Sequence, residues 1–158
     1  MRPTPDAAQV QASLARAVRP LQAEGSSADA LTRELKDVMW NGCGLVRSRA
    51  GLTRAAEALD ALAERAADAG AAGTPEWNIG WQQALDVVNQ LEVARTMVAS
   101  ALVREESRGA HFREDFPAAC DERWLRYVVS RRTPDGAVET ETRPVLFTHR
   151  QPLEESAA

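Results

Sequence analysis

Three successive stretches of this chain repeat apolar residues at three- and four-residue steps, and that pattern leaves few folds open. The clearest is Leu52, Ala55, Leu59, Leu62 and Ala66, close to a heptad seam. Before it, Leu31, Leu35, Val38 and Met39 form a similar stripe. After it, Leu85, Val88, Leu91, Val98 and Leu102 do the same, with the small Ala94 and Ala101 between them. Each stripe marks one buried face of a helix. The connections between them are short, so the helices should lie antiparallel.

Punctuation sets the expected boundaries. Asp6 caps a helix over 7–18 with Val10, Leu14 and Val18 on one face, and Pro20 ends it. The first bundle helix is expected over 28–41. It stops at Gly42-Cys43-Gly44, where Gly42 or Gly44 takes a left-handed cap. The second helix is expected over 47–69. Arg47, Arg49 and Arg54 crowd its start, the wrong end for cations, so they should have anionic partners elsewhere. The third is expected from Thr74 or Asn78 to Arg108, stopped by Gly109. Beyond residue 118 the composition changes. A hairpin over 124–132 and 137–148 turns at Thr133-Pro134-Asp135-Gly136, and a loose tail follows. The expected architecture is mainly α, a three-helix spectrin-like up-down bundle with a short N-terminal helix and a C-terminal hairpin. The divisions are 1–26 (helix and connector), 27–117 (bundle) and 118–158 (hairpin and tail).

Composition excludes some functions. A net charge of -4 disfavours nucleic acid as a partner. No apolar run reaches the length of a membrane span or a signal peptide, so no direct membrane insertion is expected. Cys43 and Cys120 have no paired spacing, which fits two free thiols in the cytoplasm. With His111 and His149 they also lack metal-ligand spacing, so no metal site is expected. Ser107 beside His111 lacks an orienting acid or oxyanion feature. The four tryptophans, Trp40, Trp77, Trp81 and Trp124, are expected to be large packing units, the Trp77–Trp81 pair in the core or an interface.

The densest chemistry lies at 104–117, Arg-Glu-Glu-Ser-Arg-Gly-Ala-His-Phe-Arg-Glu-Asp-Phe-Pro. On a continuing helix Arg104 and Arg108 share a face, Glu105 reaches Arg108, and His111 and Arg113 project from a loop after Gly109. This stretch closely resembles a signature in the C-terminal helical region of succinate dehydrogenase and fumarate reductase flavoprotein subunits, with which L-aspartate oxidases share their plan. Leu35–Arg47, Leu91–Arg104, Asp121–Leu125 and Pro144–Thr148 resemble further segments of that family. Ala118-Ala119-Cys120 departs from its charged run.

The resemblance implies a bundle packed on a separate or missing FAD-binding domain, and possible contact of the whole with an iron–sulfur subunit at the inner face of the membrane. It implies that FAD and the substrate-gripping groups lie in upstream domains. No Gly-x-Gly-x-x-Gly fingerprint follows a strand in this sequence. No catalytic, cofactor-binding or metal residue is therefore assigned, and the chain is expected to be a split subunit, a truncated frame or an excised domain. Arg104, Glu105, Ser107, Arg108, Gly109, His111, Arg113 and Asp115 are expected to form an interdomain docking corner. The alternatives are a free-standing helical interaction module, or the same domain of an L-aspartate oxidase.

Overall fold

A computed structural model describes residues 6–149. The tail at 150–158 and the terminal residues 1–5 lie outside the described residues. The apolar stripes become helices α2 (Ala28–Cys43), α3 (Arg49–Ala66) and α4 (Ile79–Val103), which pack on one another as an up-down bundle. A further helix, α1 (Ala7–Gln22), precedes them. The core is where the periodicity placed it: Leu31, Leu35, Leu52, Leu59, Leu62, Leu91 and Val98 are all buried. Each such side chain contributes about 1.5–3 kcal/mol when fully removed from water. On α4 the buried line also takes in Ala84 and Val87, while Leu85, Val88 and Leu102 sit at its edge.

The small residues decide how closely the helices approach. Gly42 is not a helix stop. It is helical and buried, and a Cβ there would lie 2.6 Å from the Ala55 Cβ and 2.9 Å from the Gly51 carbonyl oxygen. Nor does Gly44 adopt a left-handed cap; its φ is -72°. Gly42 serves the contact between α2 and α3 instead. Pro20 also fails to end its helix. α1 continues to Gln22, with Pro20 as its buried residue and the Pro20 carbonyl accepting from the Ala71 N–H at 2.7 Å. A proline so close to the helix end disrupts little beyond it. The Val10, Leu14 and Val18 face of α1 stays largely in water.

Two small ladders complete the fold. β1 (Val46–Arg47) pairs in parallel with β2 (Phe112–Arg113), and β3 (Arg126–Arg132) pairs antiparallel with β4 (Val138–Pro144). The expected turn closes the β3–β4 hairpin, with Gly136 at φ +89°. Its strands are shorter than expected, because Trp124 belongs to a helical turn, α5 (Asp121–Trp124). The hairpin lies on α4, where the Ser100 and Ser130 hydroxyls meet at 2.7 Å.

The tryptophans divide in a way that periodicity did not show. Trp124 is buried, and Trp81 is half-buried with its indole N–H donating to the Ala17 carbonyl at 2.6 Å. Trp40 is 72% exposed and Trp77 98% exposed. Trp77 stands before α4, at φ +59°, so it does not share a helix face with Trp81.

The α2–α3 contact yields a test. Gly42→Ala should destabilise the chain by about 1–3 kcal/mol through overpacking, against a helix-propensity gain of at most about 1 kcal/mol. Gly51→Ala, whose added Cβ meets nothing closer than 3.4 Å, should be neutral or stabilising. Urea denaturation of both variants separates the two effects. Equal midpoints would show that Gly42 does not set the helix separation.

Candidate functional site: the charged corner at the end of the bundle

The corner forms because α4 ends early. Its last helical residue is Val103, and Arg104 is already extended, with ψ at 104°. Gly109 is therefore not the helix stop. At φ +58° it turns a tight loop in which Arg108 and His111 exchange backbone hydrogen bonds of 2.8 and 3.0 Å. Arg104 and Arg108 do not share a helix face, and Glu105 does not serve Arg108. Glu105 pairs with Arg49 at 2.5 Å and with Arg123 at 3.5 Å.

Two buried ionic clusters organise the loop. In the first, the fully buried Arg113 grips Asp115 through Nε and Nη2, both at 2.7 Å. Its Nη1 donates to the Ala101 carbonyl at 2.8 Å, one of the orphan carbonyls at the end of α4. Asp115 also accepts from the Arg49 N–H at 3.0 Å, at the start of α3, where Ser48 caps through the Gly51 N–H. A cation thus sits at a helix C-terminus and an anion at a helix N-terminus, each matching the local dipole. Bonding to Arg113 holds the Asp115 carboxyl far below its ordinary range.

In the second cluster, Glu106 is fully buried. It accepts from Arg104, from Arg108 Nε at 2.9 Å and Nη2 at 3.0 Å, and from the Cys120 N–H at 2.9 Å. Arg108 reaches on to Asp121, and the Arg104 guanidinium lies 5.4 Å from the Trp124 ring centre. Burial pushes the Glu106 carboxyl up, but the bonds from Arg108, the Cys120 N–H and Arg104 outweigh it and bring the pKa down to about 2.

Ser107 and His111 are tied in as well. The Ser107 hydroxyl donates to the Phe116 carbonyl at 2.8 Å and accepts from the Arg113 N–H at 2.9 Å, so it staples the loop. His111 Nδ1 lies 2.8 Å from an Arg47 nitrogen. Guanidinium can only donate, so Nδ1 accepts and Nε2 carries the proton, facing the Arg104 carbonyl at 3.3 Å. Burial lowers the His111 pKa. The Arg104 carbonyl opposes that, and the charges of Arg47, Arg113 and Arg104 reinforce it.

The arginines at the start of α3 meet different fates. Arg49 finds Glu105, whereas Arg47 bonds to His111 and the Gly44 carbonyl, and Arg54 has no ion pair among the described residues. Sequence reasoning gave Glu106 no role, and it expected an anionic partner for Arg47, which meets a neutral imidazole and a carbonyl instead. Arg104, with no acid three or four residues earlier, was the one signal toward Glu106, which follows it by two residues on an extended segment.

The corner offers little chemistry to a bound group. Among the described residues the only strand leading straight into a helix is β1 into α3, and the α3 N-terminus already holds the Asp115 carboxylate, which a phosphate would have to displace. No Gly-rich turn stands there, so these residues do not fit a flavin dinucleotide. Cys43 is buried, which pushes its thiol pKa up, and Cys120 is free too. Among the described residues no cluster of His, Cys, Asp and Glu could hold a metal ion, and no helix is long and apolar enough to cross a membrane.

The Glu106 cluster has a pH signature. Its stabilisation is complete above the ordinary carboxyl pKa of 4.5 and is lost as pH falls from there toward about 2. Glu106→Gln should flatten that acid limb in thermal melts. Glu106→Ala should cost about 3–5 kcal/mol at neutral pH, since two arginines lose their buried partner. His111 adds a second limb. Its lowered pKa means that stability falls as pH drops through the ordinary value of 6.5, which an NMR titration of its ring would follow.

Comparison with known proteins places the chain in a family. The family described as "Fumarate reductase flavoprotein C-term" matches residues 32–157. The fumarate reductase flavoprotein subunit of Mycobacterium tuberculosis is 32% identical over 151 residues, covering 93% of this chain and 26% of that protein. The L-aspartate oxidase of Streptomyces coelicolor is 36% identical over 115 residues, covering 68% of this chain and 18% of that protein. The Sdh1 complex of Mycobacterium smegmatis superposes with a TM-score of 0.87 at 29% identity, over 95% of this chain and 26% of that one. The chain thus spans about a quarter or less of the length of these relatives. It belongs to the fumarate reductase and succinate dehydrogenase flavoprotein family, as the C-terminal domain of such a subunit.

Proposed function

We propose that this domain packs on the FAD-binding domain of a fumarate reductase or succinate dehydrogenase type flavoprotein, and that it supplies rigidity and docking surface rather than a reacting group. The observation that carries this reading is the state of the corner. Glu106, Ser107, Arg113 and Asp115 are all bonded within the chain, and Arg113 with Asp115 ties the end of α4 to the start of α3. None is left to abstract a proton or grip a dicarboxylate. The docking role expected of the whole motif narrows here to the exposed Arg108 and the partly exposed Glu105 and His111, with the partly exposed Arg47 and the exposed Arg49 beside them.

On this reading FAD is held by the other domain. An iron–sulfur subunit would meet the assembled flavoprotein, and any contact with the inner face of a membrane would come through such partners. The aspartate oxidase relative keeps L-aspartate in play as an alternative substrate of the whole enzyme.

A chimera tests the proposal. This chain would replace the matching region of the M. tuberculosis fumarate reductase flavoprotein subunit. The expected chimera retains FAD through gel filtration and reduces fumarate, while the chain by itself shows no flavin absorption after incubation with FAD. Flavin bound by the isolated chain, or a folded chimera unable to hold FAD, would refute the docking-domain reading.

A further inference from the structure

One end of the bundle carries an apolar surface that the chain itself does not cover. Trp40 lies in the last turn of α2 and is 72% exposed. Leu45 follows the helix at 74%, Val46 on β1 is 60% exposed, and Phe112 on β2 is 41% exposed. The backbone brings these residues to the same end of the bundle: Val46 and Phe112 are register partners in the parallel ladder, Leu45 directly precedes Val46, and a Cβ on Gly44 would collide with the Trp40 carbonyl. Large apolar side chains clustered in this way mark an interaction surface. Trp and Arg are also the residues that most often dominate binding energy at interfaces.

Arg47 stands between Val46 and α3. Its guanidinium donates to the Gly44 carbonyl and to His111, both at 2.8 Å, and it forms no salt bridge among the described residues. A neutral imidazole and a carbonyl orient that charge without cancelling it.

We infer that this end of the bundle, Trp40, Leu45, Val46 and Phe112 with the Arg47–His111 pair, is the face that meets the FAD-binding part of the flavoprotein, which answers it with an apolar recess and a carboxylate for Arg47. The inference rests on the docking role proposed above and adds which face docks. Two facts favour this occupant. The relatives extend about three-quarters of their length beyond the match, so a large partner mass adjoins this domain in the same subunit. All six residues also fall within residues 32–157, the span shared with the family. The competing apolar face of α1, Val10, Leu14 and Val18, lies before the residues that the family model matches, although the longer matches to single relatives take in much of α1.

The chimera described above supplies the experiment. Val46→Glu and Arg47→Glu in the chimera should each lower retained FAD or fumarate turnover by roughly tenfold or more. Leu14→Glu, on the competing face, should leave both unchanged. Val46→Glu should leave the melting of the isolated chain unchanged, because the side chain is exposed there. Hydrogen exchange gives a readout that needs no variant: residues 40–47 and 110–113 should exchange more slowly in the chimera than in the isolated chain, and residues 10–18 should not. Full function in Val46→Glu and Arg47→Glu, with no added protection at 40–47, would overturn this face while leaving the docking domain intact. An unsubstituted chimera that folds without holding FAD would overturn both.

Discussion

The buried guanidinium of Arg113 is the group on which the charged corner at the end of α4 depends. A charge withdrawn fully from water is tolerated only when its donors are met, and here they are met by Asp115 and by carbonyls at the end of α4. Asp115 in turn meets the first N–H of α3. One ion pair therefore binds two helix ends of opposite polarity. The parallel pairing of β1 with β2 follows from it, since Arg113 lies on β2 and Glu114 donates its N–H to the Arg47 carbonyl at 2.9 Å. The loop that carries His111 is held between these anchors.

Glu106 does the same for the next layer. It joins Arg104 and Arg108 to the Cys120 N–H and so fixes where α5 and the hairpin begin. Such clusters are expensive to desolvate, and hydrophobic replacements are often as stable. Their value here is geometric, because they specify one arrangement of several loop segments that apolar contacts alone would leave loose. The surplus of exposed apolar side chains at the same end has a complementary meaning. A rigid, internally satisfied corner beside Trp40, Leu45 and Val46 suits a domain that is one part of a larger flavoprotein subunit.

Much of the fold was legible in the residues. The α3 stripe from Leu52 to Ala66 is buried at every expected position, and Thr133–Gly136 turns the hairpin as expected. The errors share one cause. Gly42, Pro20 and Gly109 were read as helix stops and serve other purposes, while Gly44 does close α2 but without the left-handed cap. Gly42 serves the approach of Ala55 and Gly51, and Pro20 is buried near the end of α1. In the charged corner the motif was legible as a signature, but the roles of its members were not. Reading the helix on to Arg108 put Arg104 and Arg108 on one face and hid Glu106 between them. Nothing local ends α4 at Val103; the buried partners waiting for Arg104 and Arg113 do.

By itself the sequence determined the three bundle helices, most of their buried faces and the family, because these rest on periodicity and on a contiguous motif, both properties of neighbouring residues. Only the tertiary structure decided which charges are buried, which tryptophans face water and where α4 stops. Those outcomes depend on pairs such as Arg49–Glu105 and Arg47–His111, far apart along the chain. Whether a charge can be buried depends on the partners that the fold brings to it, and no local pattern encodes them.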